Sequence, residues 1–90
     1  MTLEEAENLM KICEQDLKML QDFNKALSQI EKNTELLEDY YSNQYMNDIN
    51  NPIYKNVYSM VLSEDGIWDL LTEIHQEKLS ILKKIVKKLH

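Results

Sequence analysis

The sequence contains one glycine and one proline in 90 residues, Gly66 and Pro52. Glycine and proline form the turns that connect strands and loops, so an all-β or loop-rich fold needs many of them. Their scarcity argues against such folds and favours a chain that is helical over most of its length.

Cysteine and long apolar runs are also scarce. Cys13 is the single cysteine, so no internal disulfide can form and a reducing compartment is the simplest setting. No apolar run approaches the ~18 residues that a membrane span needs, and no charged-then-apolar signal segment stands at the N-terminus. We therefore predict a cytoplasmic protein without a membrane span.

Arginine is absent, and the chain is acidic. Ten lysines stand against sixteen acidic residues, which gives a net charge of −6. Because phosphate contacts rely on lysine and arginine, we predict no nucleic-acid partner. The charge is uneven: the segment 78–90 holds five lysines and no acid, whereas the segment 1–77 carries −11.

The N-terminal part predicts a long helix over about residues 3–40. Thr2 and Glu5 have the spacing of a capping box, with Thr2 as N-cap. Apolar or small residues then recur with a mean spacing of about 3.5 residues, the seam period of a left-handed coiled coil. A helix this long is unstable alone in water, so its seam must pack on the C-terminal helix or on a second copy. The seam comprises Ala6, Met10, Cys13, Leu17, Leu20, Phe23, Leu27, Ile30, Thr34, Leu37 and Tyr41.

Residues 41–62 form a segment rich in tyrosine and asparagine. Asn51-Pro52 predicts a helix start, with Asn51 as N-cap and Pro52 at N1, and a short helix up to about Met60. Residues 42–50 are predicted as one short helical turn or an ordered loop. Amphipathic aromatics are enriched in binding surfaces and also close the ends of helical bundles. The segment is thus an interaction surface or a structural cap, and the residues of the predicted surface are Tyr41, Tyr45, Tyr54, Tyr58 and Trp68.

The C-terminal part predicts a helix over about residues 63–89. Ser63 is the predicted N-cap, and Leu62 and Ile67 then hold the two positions of a hydrophobic staple. Gly66 falls in the first turn, where a missing Cβ lets another backbone approach closely. The apolar arc of about 180° is wider than one neighbouring helix covers. The basic tail at residues 81–90 is either the end of a core helix or a segment that lies on anionic membrane.

These elements predict an all-α fold in a single domain over residues 1–90. The first and last helices form an antiparallel hairpin, joined by the Tyr/Asn-rich segment with one or two short helices. The last helix is too short to cover the first, and its apolar face is too wide for one neighbour. We therefore predict a self-associating bundle, a homodimer or a higher oligomer.

No residue pattern predicts catalysis, a cofactor or a metal. His75 has no carboxylate or imidazole three or four residues away, so we interpret it as structural. The acidic clusters at residues 4–7, 35–39 and 64–69 lie off the seam or at a helix start, as solvated carboxylates do. Cys13 occupies a seam position, where it serves as a small apolar residue. We therefore predict a protein that is not an enzyme.

A set of residues in the C-terminal half forms the pattern YY…D…P…VLSED…DLL. It comprises Tyr40, Tyr41, Asp48, Pro52, residues 61–65 and residues 69–71, with Tyr45 as a further aromatic. The pattern resembles a family of small, uncharacterised, mainly bacterial helical proteins known only as a domain of unknown function. Family members usually have Trp where Tyr45 stands and Gly where Met60 stands, and the segment 1–38 matches only as a charged helix. The resemblance implies an all-helical cytoplasmic protein and brings no activity or site.

We predict a non-enzymatic protein–protein interaction module that binds itself and, in addition, an unknown protein partner. One alternative is an acidic regulator that imitates nucleic acid and binds a basic protein. The charge of −11 on the segment 1–77 favours it, but the lysines interspersed along the first helix break up the negative field. A second alternative is a carboxylate-metal enzyme.

Overall fold

A computed structural model describes residues 1–63 and 65–89 of the chain. Every element in these ranges is helical: α1 (Leu3–Asn43), α2 (Tyr45–Ile49), α3 (Gly66–Lys88) and two 3-10 turns, at Pro52–Tyr54 and Met60–Leu62. The described ranges contain no strand, and the predicted all-α class is confirmed. Glu64 of the predicted helix start and His90 of the basic tail lie outside the described residues.

Helix α1 begins where the sequence predicts. The Thr2 hydroxyl oxygen accepts a hydrogen bond from the Glu5 amide at 3.1 Å, and the Thr2 carbonyl accepts from the Ala6 amide at 3.0 Å. The first bond satisfies one of the amides that a helix start leaves without an intrahelical partner, and the second is the first i→i−4 bond of the helix. The helix continues to Asn43, slightly beyond its predicted end at about residue 40, and none of its residues is buried.

The chain divides into two compact units, Met1–Asn33 and Thr34–His90. The first unit consists of the N-terminal part of α1, and the apolar residues of its seam are largely exposed. The second unit contains the end of α1 together with α2, both 3-10 turns and α3. Within the second unit, α2 and α3 both contact the turn Met60–Leu62. Tyr45 and Ile67, the buried side chains of the described residues, belong to α2 and α3 and form a small core.

The segment between α1 and α3 differs from its prediction. Asn51 is the predicted N-cap, since its side-chain oxygen accepts from the Ile53 amide at 3.0 Å and Pro52 holds N1. The predicted helix from Pro52 to Met60 is wrong, because the chain makes only a 3-10 turn that ends at Tyr54. The residues that follow include Asn56 and Val57, whose helix propensity is low. The predicted helical turn within residues 42–50 is present as α2.

The start of α3 also differs from its prediction. The helix begins at Gly66 with Asp65 at the N-cap, three residues after the predicted start. Ser63 as N-cap is wrong: its hydroxyl donates to the Met60 carbonyl at 2.7 Å and ends the second 3-10 turn. A serine hydroxyl can accept from a following amide or donate to a preceding carbonyl. Here the 3-10 turn Met60–Leu62 places the Met60 carbonyl within reach of the Ser63 hydroxyl. Ile67 therefore stands at N2, and the predicted staple position is wrong as well.

Gly66 lies against the backbone of the second 3-10 turn. A Cβ at this residue would overlap the Met60 carbonyl oxygen and the Ser63 hydroxyl oxygen, and would lie 3.3 Å from the Met60 carbonyl carbon. The φ angle of Gly66 is not positive, so the requirement is for space rather than for an unusual backbone conformation. The predicted close backbone approach at Gly66 is confirmed.

Replacing Gly66 with alanine should lower the melting temperature. In an unhindered helix this change adds up to about 1 kcal/mol of stability, but crowding against a fixed carbonyl costs about 1–3 kcal/mol. Each kcal/mol lost lowers Tm by about 4–8 °C in a domain of this size. Thermal unfolding followed by circular dichroism measures the effect. Glu73→Ala, at an exposed position within α3, is the control, and a Tm above that of the wild type in Gly66→Ala would contradict the contact.

Candidate functional site

Tyr45 is the centre of the second unit. Its side chain is 6% exposed, and its hydroxyl donates a 3.0 Å hydrogen bond to the carbonyl of Ser63, which is distant in sequence. A tyrosine can be buried at low cost when its hydroxyl finds such an acceptor. The ring of Tyr41 lies 5.2 Å from that of Tyr45, centroid to centroid, at an interplanar angle of 44°. Tyr45 therefore joins the end of α1, through Tyr41, to the residue where the second 3-10 turn ends.

A second group of hydrogen bonds joins the end of α1 to α2. The Tyr40 hydroxyl donates to Asp48 Oδ2 at 2.6 Å, and the Gln44 side-chain amide donates to the same oxygen at 3.2 Å. The short bond to the carboxylate holds the Tyr40 proton and, with partial desolvation and the negative charge of Asp48, raises the pKa of Tyr40 from 10.0 to about 12. We name Tyr40, Tyr41, Tyr45, Asp48 and Ser63 the tyrosine junction.

Only some residues of the predicted interaction surface are exposed. Tyr58 is 92% exposed, Trp68 is 57% exposed, and Tyr54 is exposed as well. Tyr41 is half-buried against Tyr45. Tyr45 was predicted to belong to that surface, but its side chain is buried and its hydroxyl is bonded to the Ser63 carbonyl within the second unit.

The exposed aromatics do not form one cluster. Within the described residues no ring contact joins Tyr54, Tyr58 and Trp68, although the Tyr58 hydroxyl lies 3.8 Å from the sulfur of Met60. The structure thus brings Tyr41 and Tyr45 together and leaves the other three as separate exposed side chains. Their role as a binding surface stays a prediction.

Two open clefts border the 3-10 turns. The larger encloses about 640 Å³ and the smaller about 290 Å³. Tyr54, Val57 and Leu62 border both, and the smaller reaches Tyr40 and Asp48 of the tyrosine junction. The sequence did not predict these clefts, because 3-10 turns of three residues are too short to show a hydrophobic periodicity. The one sequence signal near them was the helix start at Asn51-Pro52, which begins the first of the two turns.

The chemical groups of the chain are dispersed in the structure. In residues 1–63 and 65–89, no three His, Cys, Asp or Glu side chains come close enough to hold a metal ion. Cys13 and His75 are exposed. The Tyr40 hydroxyl is protonated at neutral pH even at the ordinary pKa of 10.0, and its bond to Asp48 raises that pKa further, so it acts as the donor of a structural hydrogen bond. None of the described helices has the length and apolar content that crossing a membrane requires.

Removing the Tyr45 hydroxyl should destabilise the second unit. Tyr45→Phe keeps the ring packing but leaves the Ser63 carbonyl without its side-chain donor, at a cost of about 0.5–1.5 kcal/mol. Tyr58→Phe is the matched control, since it removes a hydroxyl from the most exposed of the tyrosines. Denaturant titration of both variants gives the two free energies of unfolding, and equal values would show that the Tyr45 bond adds nothing.

The Tyr40–Asp48 hydrogen bond should make stability fall at alkaline pH. In the unfolded chain Tyr40 ionises near pH 10, whereas in the folded chain its pKa is about 12. Its contribution is therefore complete below about pH 10 and is lost as the pH rises through about 12. Tyr40→Phe lacks this contribution, so the stability difference between wild type and Tyr40→Phe should shrink over that interval. Melting temperatures measured across the pH range test this, and a constant difference would be the contrary result.

One family model matches most of the chain. Residues 3–85 match the model described as domain of unknown function (DUF4298). No curated protein and no solved structure matches the chain. The match covers α1, α2, both 3-10 turns and most of α3. It confirms the predicted membership of an uncharacterised family, and the chain belongs to the DUF4298 family.

Proposed function

We propose that the protein is a non-enzymatic helical interaction module that self-associates through the seam of α1, as a homodimer. The observation that carries the proposal is the exposure of this seam in the first unit. Leu20 is 64% exposed, and Met10 and Leu17 are exposed to a similar degree. A seam with a spacing of about 3.5 residues is the pattern by which helices pack side chains into each other's grooves. An apolar surface of this extent is uncommon in a protein that stays monomeric.

In the proposed assembly, α3 packs antiparallel on α1 in a hairpin. Exposed apolar residues on α3 support this pairing, among them Leu82, Ile85 and Val86. Helix α1 has 41 residues and α3 has 23, so at the same rise per residue α3 leaves a large part of α1 uncovered. A second copy covers that remainder. The single domain predicted from the sequence would then be one bundle shared by two chains.

A further protein partner would bind at the exposed aromatics of the second unit. Tyr54, Tyr58 and Trp68 are exposed, and tyrosine and tryptophan are the residues that most often anchor interfaces. The exposed thiol of Cys13 is compatible with the reducing cytoplasm that we propose as the compartment.

The acidic-regulator alternative predicts a continuous negative surface. On α1, however, Lys18 lies 3.3 Å from Asp22 in an exposed ion pair. Pairs of this kind reduce the field that would attract a basic protein. The interaction module is therefore the function that the side-chain arrangement supports better.

Replacing a seam leucine should weaken self-association, whereas replacing an equally exposed leucine outside the seam should not. Leu20→Gln and Leu36→Gln form a matched pair, because the two leucines are 64% and 67% exposed on the same helix. Glutamine keeps the helix propensity and adds no charge. A dimer would lose two buried leucines, at about 1.5–3 kcal/mol each, so Kd should rise at least about a hundredfold in Leu20→Gln.

Sedimentation equilibrium over a range of protein concentrations measures both constants. The wild type and Leu36→Gln should dimerise alike. A wild type that stays monomeric at every concentration, or equal loss in the two variants, would overturn the proposed function.

A further inference from the structure

The two ends of the helical chain carry opposite charge. We define the acidic end as residues 3–16 of α1 and the basic end as residues 78–89, at the end of α3. The acidic end holds five carboxylates and one lysine: Glu4, Glu5, Glu7, Glu14, Asp16 and Lys11. The basic end holds five lysines and no acid: Lys78, Lys83, Lys84, Lys87 and Lys88. All the carboxylates of the acidic end are exposed, as are the last four lysines.

Each end also presents apolar side chains beside its charges. On the acidic end Leu3, Leu9 and Met10 are exposed, and on the basic end Leu82, Val86 and Leu89 are exposed. Two such surfaces of opposite charge are complementary, because the apolar stripes can pack together while the bordering charges form salt bridges. In coiled coils the residues beside the apolar seam pair in this way.

Helix periodicity places particular charges next to these stripes. Glu7 precedes the seam residue Met10 by three positions and Glu14 follows it by four, so both border the same side of the seam. On α3, Lys84 and Lys88 are four positions apart, and each follows an isoleucine of the apolar stripe by three positions. These four residues are the charges that lie beside the two apolar stripes, where a docked helix would come near them.

We propose that the basic end of α3 in one copy docks against the acidic end of α1 in a second copy. This inference rests on the proposed self-association and adds its orientation. The lengths favour a second copy, because α3 has 23 residues and α1 has 41, so in the proposed hairpin α3 leaves part of α1 to another chain. In a two-fold dimer the contact occurs twice, so each pair of opposite charges counts twice. An anionic membrane is the weaker occupant, since the net charge of −6 repels it from the chain as a whole.

Exchanging the charges tests the docking. One variant carries Glu7→Lys with Glu14→Lys, and the other carries Lys84→Glu with Lys88→Glu. Each homodimer then brings like charges together in both contacts, and Kd should rise about tenfold or more. An equimolar mixture should form heterodimers as tightly as the wild type, because both contacts regain opposite charges. Attraction between the net charges of the two variants cannot explain such heterodimers, because the variants carry −2 and −10 and so repel each other overall.

Sedimentation with one variant fluorescently labelled measures the pairing. The chain that carries all four substitutions exchanges both ends and should dimerise like the wild type, which also controls for damage to folding in either parent variant. Raising the salt concentration to about 1 M should weaken wild-type dimers, because it screens the exposed charges.

The outcomes separate this inference from the proposed function. A wild type that dimerises while both variants dimerise equally well overturns the docking and leaves the self-association standing. Rescue in the four-substitution chain without rescue in the mixture places the contact within one chain and overturns the second copy. Loss of binding to phosphatidylserine vesicles in Lys84→Glu with Lys88→Glu, with dimerisation unchanged, assigns the basic end to membrane and also overturns the docking. A monomeric wild type overturns both proposals.

Discussion

The hydrogen bond from the Tyr45 hydroxyl to the Ser63 carbonyl is the contact on which the second unit depends. It joins α2 to the residue that ends the second 3-10 turn, across 18 positions of sequence. Ser63 in turn donates to the Met60 carbonyl, and that carbonyl lies against Gly66 at the start of α3. Two hydroxyls, two carbonyls and the missing Cβ of Gly66 thus connect α2 to the start of α3 within this unit.

This arrangement explains why the tyrosines differ from one another although they lie in one segment. Tyr40 and Tyr45 use their hydroxyls for hydrogen bonds within the second unit, to Asp48 and to the Ser63 carbonyl. Tyr58 leaves most of its side chain in water. The tyrosines whose hydroxyls are bound within the unit and the tyrosine left in water are therefore different residues of the same segment, and only exposed side chains are accessible to a partner.

The small core is the physical basis for proposing self-association. Tyr45 and Ile67 are buried in the described chain, whereas most apolar residues of the α1 seam in the first unit are exposed. Burial of apolar area is the main favourable term in folding, and a chain of 90 residues that leaves a seam exposed forgoes much of it. Docking of a second copy would recover that term without any change in the helices.

Local signals in the sequence predicted the two long helices and the starts of α1 and of the first 3-10 turn. The Thr2 cap, the Asn51-Pro52 start and the helical period of α1 each act within one or two turns, so the sequence alone predicts them. The space required at Gly66 was also foreseeable, because a lone glycine in a helix start has few other reasons to be there.

Only the tertiary structure decided the role of Ser63 and the burial of Tyr45. Ser63 has two possible hydrogen-bond partners, and the turn at Met60–Leu62 selects the carbonyl that precedes it. Tyr45 and Asp48 are engaged by groups 18 and 8 positions away, a separation over which helical periodicity carries no information. Local propensity determines where a helix can form, and contacts between distant residues determine which side chains it buries.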